Sequence, residues 1–200
     1  MGYTYVVTMR KQELYIKNMV CPRCETVIRM ELEQLGGHVL ILRPGYASVT
    51  VPDSVNRRLI AQRLRHHGFD LLEDPEERTV EQLKAATLQY RQLQEQAASE
   101  GKILPTLSDF LTQTVGKNYA YLSKLFSRHE EKTLEKYYIS LRIERVKELL
   151  HYGELNVSEI ARQLGYSSVH YLSAQFKKVT GQSVSEYRKE EEVEKRSYRN

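Results

Sequence analysis

Cys21 and Cys24 are the only cysteines among the 200 residues, and two positions separate them. Thiolates are soft ligands, and two of them in near-linear geometry satisfy Cu(I), whereas Zn(II) wants four ligands. Arg23 lies between the two thiols and favours their ionised form. Three uses stay open for the pair: holding a soft metal, sensing thiol redox state, or marking a fold kept for oligomer or protein contacts. A secreted disulfide scaffold would need more cysteines at wider spacing. A lone Cys-x-x-Cys behind no signal peptide points to the cytoplasm, and no apolar run is long enough to cross a membrane.

A second pattern is an internal repeat. Thr106 to Phe126 and Asn156 to Phe176 match at fixed offsets: Leu111 with Ile160, Val115 with Leu164, Gly116 with Gly165, Leu122 with Leu172, Phe126 with Phe176. The second copy carries one extra residue in its turn. Each copy reads as a short helix, a glycine turn and another short helix, which is the syntax of a helix-turn-helix. Asn156 or Ser158 can cap the third of these four helices, with Glu159 strengthening the signal. The chemistry such helices offer is recognition of a polyanion through a few placed side chains. The net charge of +4 is too small for bulk attraction. Residues 1–74 hold ten basic and eight acidic groups, and residues 104–190 hold thirteen and ten. Lys and Arg must therefore act from one face.

These residues need elements to hold them. Leu14–Asn18 reads as a strand running into the cysteine motif. Cys24, Ile28, Leu32 and Leu35 then follow at helical spacing, and Gly36-Gly37 ends that helix. His38–Leu42 and Ala47–Val51 read as strands about a Pro44-Gly45 turn. Asp53 or Ser54 can cap the next helix, whose apolar side takes in Val55, Leu59, Ile60 and Leu64. Gly68 stops it, and Phe69–Leu72 makes a last short strand. The order is βαββαβ, a ferredoxin-like arrangement of four strands covered on one face by two helices. Tyr3–Val7 is an extra strand candidate. The fold class is therefore α+β: this domain over 1–74, a linker helix over 75–103, an all-α domain with two helix-turn-helix units over 104–190, and a polar tail over 191–200. Thr133–Tyr152 reads as one long helix joining the two units. A rod of about 30 Å suits reading two successive major-groove segments of double-stranded DNA. On the linker helix, Leu83, Ala86, Tyr90, Leu93 and Ala97 form a stripe. It serves either as a seam between two subunits or as packing against the DNA-binding half.

Glu77 to Lys189 resembles the DNA-binding domain of AraC/XylS family regulators. The resemblance runs through Glu159-Ile160-Ala161, Gly165-Tyr166-Ser167, Tyr171-Leu172-Ser173, Phe176-Lys177-Lys178, Gly181 and Tyr187-Arg188. It continues in Leu141–Leu150 and in Tyr121–Phe126. Asn118 stands at the usual serine cap, and Ser183-Val184 replaces the usual Thr-Pro. The resemblance implies that the second helix of each unit enters the major groove. The positions it would expose to DNA are Tyr119, Ala120, Ser123, Lys124 and Ser127 in the first unit. In the second they are Ser168, Val169, His170, Ser173, Ala174 and Lys177. Lys124 is the leading base reader, with a phosphate contact as its alternative. Leu122, Phe126, Leu172 and Phe176 are assigned to the core.

Residues 1–74 resemble the heavy-metal-associated domain of copper chaperones, through Met19, Cys21, Cys24, the following helix and Gly68-Phe69. That resemblance implies Cu(I) or Zn(II) at Cys21 and Cys24. It brings His66 and His67 near the pair, as third ligands or as helix C-terminal residues favoured by the dipole. The chain is thus expected to be a DNA-binding transcriptional regulator, with a homodimer partner and RNA polymerase as further candidate contacts. A metallochaperone or thiol oxidoreductase is the alternative of a different class. It would account for the first domain and leave the repeat unused. No P-loop, nucleophile elbow or zinc-protease motif is present, so no enzyme is expected.

Overall fold

The computed structural model of the chain describes residues 8–19 and 22–197. The chain divides into two compact units, 1–85 and 86–200. Cys21 and the strand candidate Tyr3–Val7 lie outside the described residues.

The first unit runs β1 (Met9–Lys17), α1 (Pro22–Gln34), β2 (His38–Arg43), β3 (Tyr46–Pro52), α2 (Arg57–Arg65) and β4 (Asp70–Leu71). The strands form one sheet in the order β2-β3-β1-β4, with every pair antiparallel. This is the small four-stranded antiparallel sheet expected from the alternation, with the split βαβ connectivity. Alternation sets the faces. Leu14 and Ile16 of β1 and Ala47, Val49 and Val51 of β3 point inward and are fully buried. Ile28 and Leu32 of α1 and Ile60 and Leu64 of α2 close over them. A side chain at Gly37 would stand 2.8 Å from the Leu32 carbonyl oxygen, so the turn out of α1 requires glycine there.

Three local expectations are corrected. The cap of α2 is Asn56, whose side chain accepts from Leu59 N at 2.9 Å, rather than Asp53 or Ser54. Asp53 instead accepts a hydrogen bond from the Thr8 hydroxyl. The later start leaves Ile60 and Leu64 as the buried residues of the helix, while Leu59 is turned outward, 37 % exposed. The last strand is shorter than expected, two residues paired with Ile16 and Lys17.

A helix, α3 (Pro75–Glu100), spans the division between the units. Its second half belongs to the second unit. There Tyr90 is buried, its ring 5.3 Å from that of Phe110 and 5.8 Å from that of Tyr138, and its hydroxyl donates to the Pro105 carbonyl. The apolar stripe of α3 at Tyr90 is thus used in packing within the helical unit.

The rest is helical: α4 (Leu107–Val115), α5 (Tyr119–His129), α6 (Leu134–Tyr152), α7 (Val157–Gln163), α8 (Val169–Thr180) and α9 (Val184–Ser197). Helix α6 is unbroken over 19 residues, about 28 Å. Its start packs Tyr137 on Phe126 of α5, ring centroids 5.3 Å apart. Farther along, Ile143, Val146, Leu149 and Leu150 join Ile160, Leu164, Leu172, Phe176 and Val184 in a second core. Residues read as a polar tail continue α9 to Ser197, because Glu, Lys and Arg are good helix formers and no Gly or Pro interrupts them. Among the described residues, no helix is long and apolar enough to cross a membrane.

Candidate nucleic-acid interface

Both copies of the repeat build the same local geometry. Gly116 ends α4 in the left-handed conformation at φ +74°, and the Asn118 side chain caps α5 by accepting from Tyr121 N at 2.8 Å. In the second copy, Asn156 and Glu159 form a reciprocal capping box at the start of α7. Gly165 turns the chain at φ +65°, and Ser168 caps α8 by accepting from Tyr171 N at 3.1 Å. Ser183 and Glu186 likewise cap one another's backbone at α9. Each cap satisfies amide groups that a helix start otherwise leaves unpaired.

The buried side of α5 is Leu122, Leu125 and Phe126, and that of α8 is Leu172 and Phe176. The opposite sides face outward. Ala120, Lys124 and Ser127 are exposed on α5, with Tyr119 and Ser123 half-buried. His170, Ala174, Lys177 and the edge of Val169 are exposed on α8, with Ser173 half-buried. Two candidates are engaged within the chain: Ser168 is a cap, and the Ser127 hydroxyl donates to the Ser123 carbonyl at 2.9 Å. Burial, with Glu135 nearby, pushes the Tyr119 hydroxyl above its usual range, so Tyr119 stays neutral.

At matched positions the two faces differ. Ala120 stands where His170 does, Lys124 where Ala174 does, and Ser127 where Lys177 does. Sequence reasoning missed Tyr121 and Tyr171, which precede the buried leucine in each copy and are 40 % and 51 % exposed. Their shared offset from Leu122 and Leu172 was the available signal. It also missed Lys117, whose ammonium lies 5.3 Å from the Tyr121 ring centre.

In the first unit the metal expectation rests on less. Cys24 is half-buried in the first turn of α1, with its sulfur 3.9 Å from the Asn18 carbonyl. His67, a candidate third ligand, instead bonds Glu31 Oε1 at 2.9 Å, and Arg63 holds the other oxygen at 2.6 Å. Burial alone would raise the Glu31 carboxyl, but the hydrogen bonds from Arg63 and His67 override it and hold it below its usual range. His66 is the exposed C-cap of α2. Among the described residues, no three His, Cys, Asp or Glu side chains gather as a metal site.

Comparison with known proteins addresses the helical half. Residues 111–190 match the family described as "Helix-turn-helix domain". A 71-residue stretch is 32 % identical to the Msm operon regulatory protein of Streptococcus mutans, covering 36 % of this chain and 26 % of that one. The match thus spans about a quarter of that relative's length. The DNA-binding transcriptional dual regulator of Escherichia coli K-12 is similar with a TM-score of 0.45 at 16 % identity, over 56 % of this chain and 93 % of that one. The C-terminal domain of AraT, a response regulator from Geobacillus stearothermophilus, has a TM-score of 0.41 at 27 % identity, over 52 % and 84 %. The family match begins at Leu111 and leaves the first unit outside it. It takes in the rod and both helix-turn-helix copies except the first turn of α4, so residues 111–190 of this chain are similar to a helix-turn-helix domain.

Proposed function

We propose that the chain is a sequence-specific transcriptional regulator of the AraC/XylS type, reading two successive major-groove segments of double-stranded DNA with α5 and α8. One observation carries this reading. Two capped helices at equal repeat offsets each bury Leu and Phe on one side and expose short polar and basic side chains on the other, and both pack on the single rod α6. A helix in the major groove needs this division, with an apolar anchor behind and a few protruding side chains in front. The different side chains at matched positions give the two heads different preferences. The proposed site therefore has unlike halves.

Lys124 is the leading base reader, because it is exposed and sits on α5 directly opposite the buried Leu122 and Phe126. His170 and Lys177 take that part on α8, and Ser123 and Ser173 supply shorter hydroxyls. Ala120, Ala174 and Val169 offer only apolar contact, for example to a thymine methyl.

Lys124→Ala is expected to weaken binding to a selected duplex by about 1–3 kcal/mol, while affinity for random-sequence duplex changes less. Gel-shift titration of both duplexes at one salt concentration measures this. Equal loss on both would make Lys124 a phosphate contact, and no change on either would remove it from the interface.

A further inference from the structure

The second helix-turn-helix has a feature that the first lacks. Arg142, in the middle of α6, is buried at 9 % exposure, and its Nε finds no hydrogen-bond partner among the described residues. Its guanidinium carbon stands 3.7 Å from the centre of the Tyr166 ring, and its Nη2 donates to the Leu164 carbonyl at 3.1 Å. Both partners belong to the turn between α7 and α8. A buried guanidinium is costly to desolvate, and an aromatic face is one of few neighbours that recover that cost without a second charge. Tyr166 passes the restraint on. Its hydroxyl donates to Gln175 Oε1 on α8 at 3.0 Å, and its ring lies 6.1 Å from that of Tyr171 on the same helix. The other side of the turn is closed too: a side chain at Gly165 would meet Gln94 of α3 at 3.4 Å, and the Tyr138 hydroxyl donates to Gln94.

The first copy has no equivalent. After Gly116 its turn offers Lys117, an exposed side chain lying over Tyr121 of its own α5. One residue fewer stands between the glycine and the cap.

We propose that Tyr166 is a positioning residue which, clamped under Arg142 and bonded to Gln175, fixes the pose of α8, so that the second head discriminates base sequence from a preset geometry. The proposal rests on the DNA-reading function above and adds which head is preset and by which atoms. Preorganised contacts lose less to ordering on binding and tolerate displacement poorly, so loosening the brace should cost discrimination at one half-site alone.

The test uses the full chain. Wild-type protein selects a duplex from a random pool of about 30 base pairs, long enough for two segments one helical turn apart. Affinities are then measured for that duplex and for two derivatives, each with one half scrambled. Tyr166→Phe keeps the buried ring and removes only the hydroxyl, so the fold should persist, and a thermal melt confirms it. Expected is a loss of about threefold to tenfold in discrimination at one half, with the other half unchanged. Gln175→Leu should act on the same half, and the double variant should show less than the sum of the two effects, since both remove one bond. Equal loss at both halves, no loss at either, or additive effects would overturn the positioning role and leave the DNA reading standing. A wild-type chain that enriches no sequence would overturn the DNA reading and this inference with it.

Discussion

Replacing Phe176 by alanine is expected to destabilise the helical unit by about 3–5 kcal/mol, the usual cost of emptying a large aromatic site in a core. Phe176 is fully buried among α6, α7, α8 and α9, and its ring meets that of Tyr187 edge-on at 5.5 Å. The core it fills is small. Eleven buried residues form it, and alanine here leaves a cavity that short helices on four sides cannot collapse to fill. Domains of this size hold about 5–15 kcal/mol in all, so the variant should sit close to unfolding at ordinary temperature. Urea titration followed by circular dichroism measures the shift in midpoint. A loss below about 1 kcal/mol would mean that the second core is not the packed body described above. Because α8 is one wall of this core, DNA affinity should fall with stability. The two can be separated by repeating the binding measurement at low temperature, where the variant remains folded.

The elements that proved legible in the sequence were those specified by local pattern. Leu14 and Ile16 alternate, Ile28 and Leu32 step by four, and the glycine turns of the repeat stand at fixed distances from Leu122, Phe126, Leu172 and Phe176. Caps were legible where one side chain dominated, as at Asn118, whereas at α7 the sequence left Asn156 and Ser158 open and the structure selects Asn156. The α2 cap was not legible, because Asp53, Ser54 and Asn56 lie within four residues and only the packing of Ile60 and Leu64 selects among them. Contacts between distant residues were invisible in principle. Nothing local tells that Asp53 meets Thr8, that Tyr166 lies under Arg142, or that Glu95 reaches partners 50 and 68 positions away. The α3 stripe shows the same limit: spacing revealed an apolar face at Tyr90 and left open what covers it. On the candidate interface, the sequence picked out the exposed faces of α5 and α8. It did not show that the Ser168 and Ser127 hydroxyls already have partners.

Glu95 is where a distant contact has the clearest measurable consequence. Its carboxylate accepts from Arg145 Nη2 at 2.9 Å and Nε at 3.2 Å, from Gln163 Nε2 at 2.8 Å, and from Arg91 at 3.0 Å. It thereby ties the second half of α3 to both α6 and α7. Burial alone would raise its pKa; the hydrogen bonds from Arg145 and Gln163, then the charges of Arg145 and Arg91, outweigh that and bring it below the ordinary 4.5. A carboxylate depressed on folding adds stability that is complete above its unfolded pKa and disappears as pH falls through the folded one. The contribution of Glu95 is therefore full at neutral pH and starts to fade below about pH 4.5. Glu95→Ala should cost about 1–2 kcal/mol at neutral pH, the lower part of the range for bonds to charged groups, because water reaches the Arg145 side of the cluster. Glu95→Gln should cost less, since an amide oxygen can still accept from Gln163. The decisive comparison is urea stability of wild type and Glu95→Ala at about pH 7 and about pH 3, where the difference should shrink as the wild-type carboxylate takes up its proton. A difference that stays constant across that range would mean that Glu95 contributes packing and not charge. The polar latch from α3 to α6 would then rest on the neighbouring Gln94–Tyr138 contact.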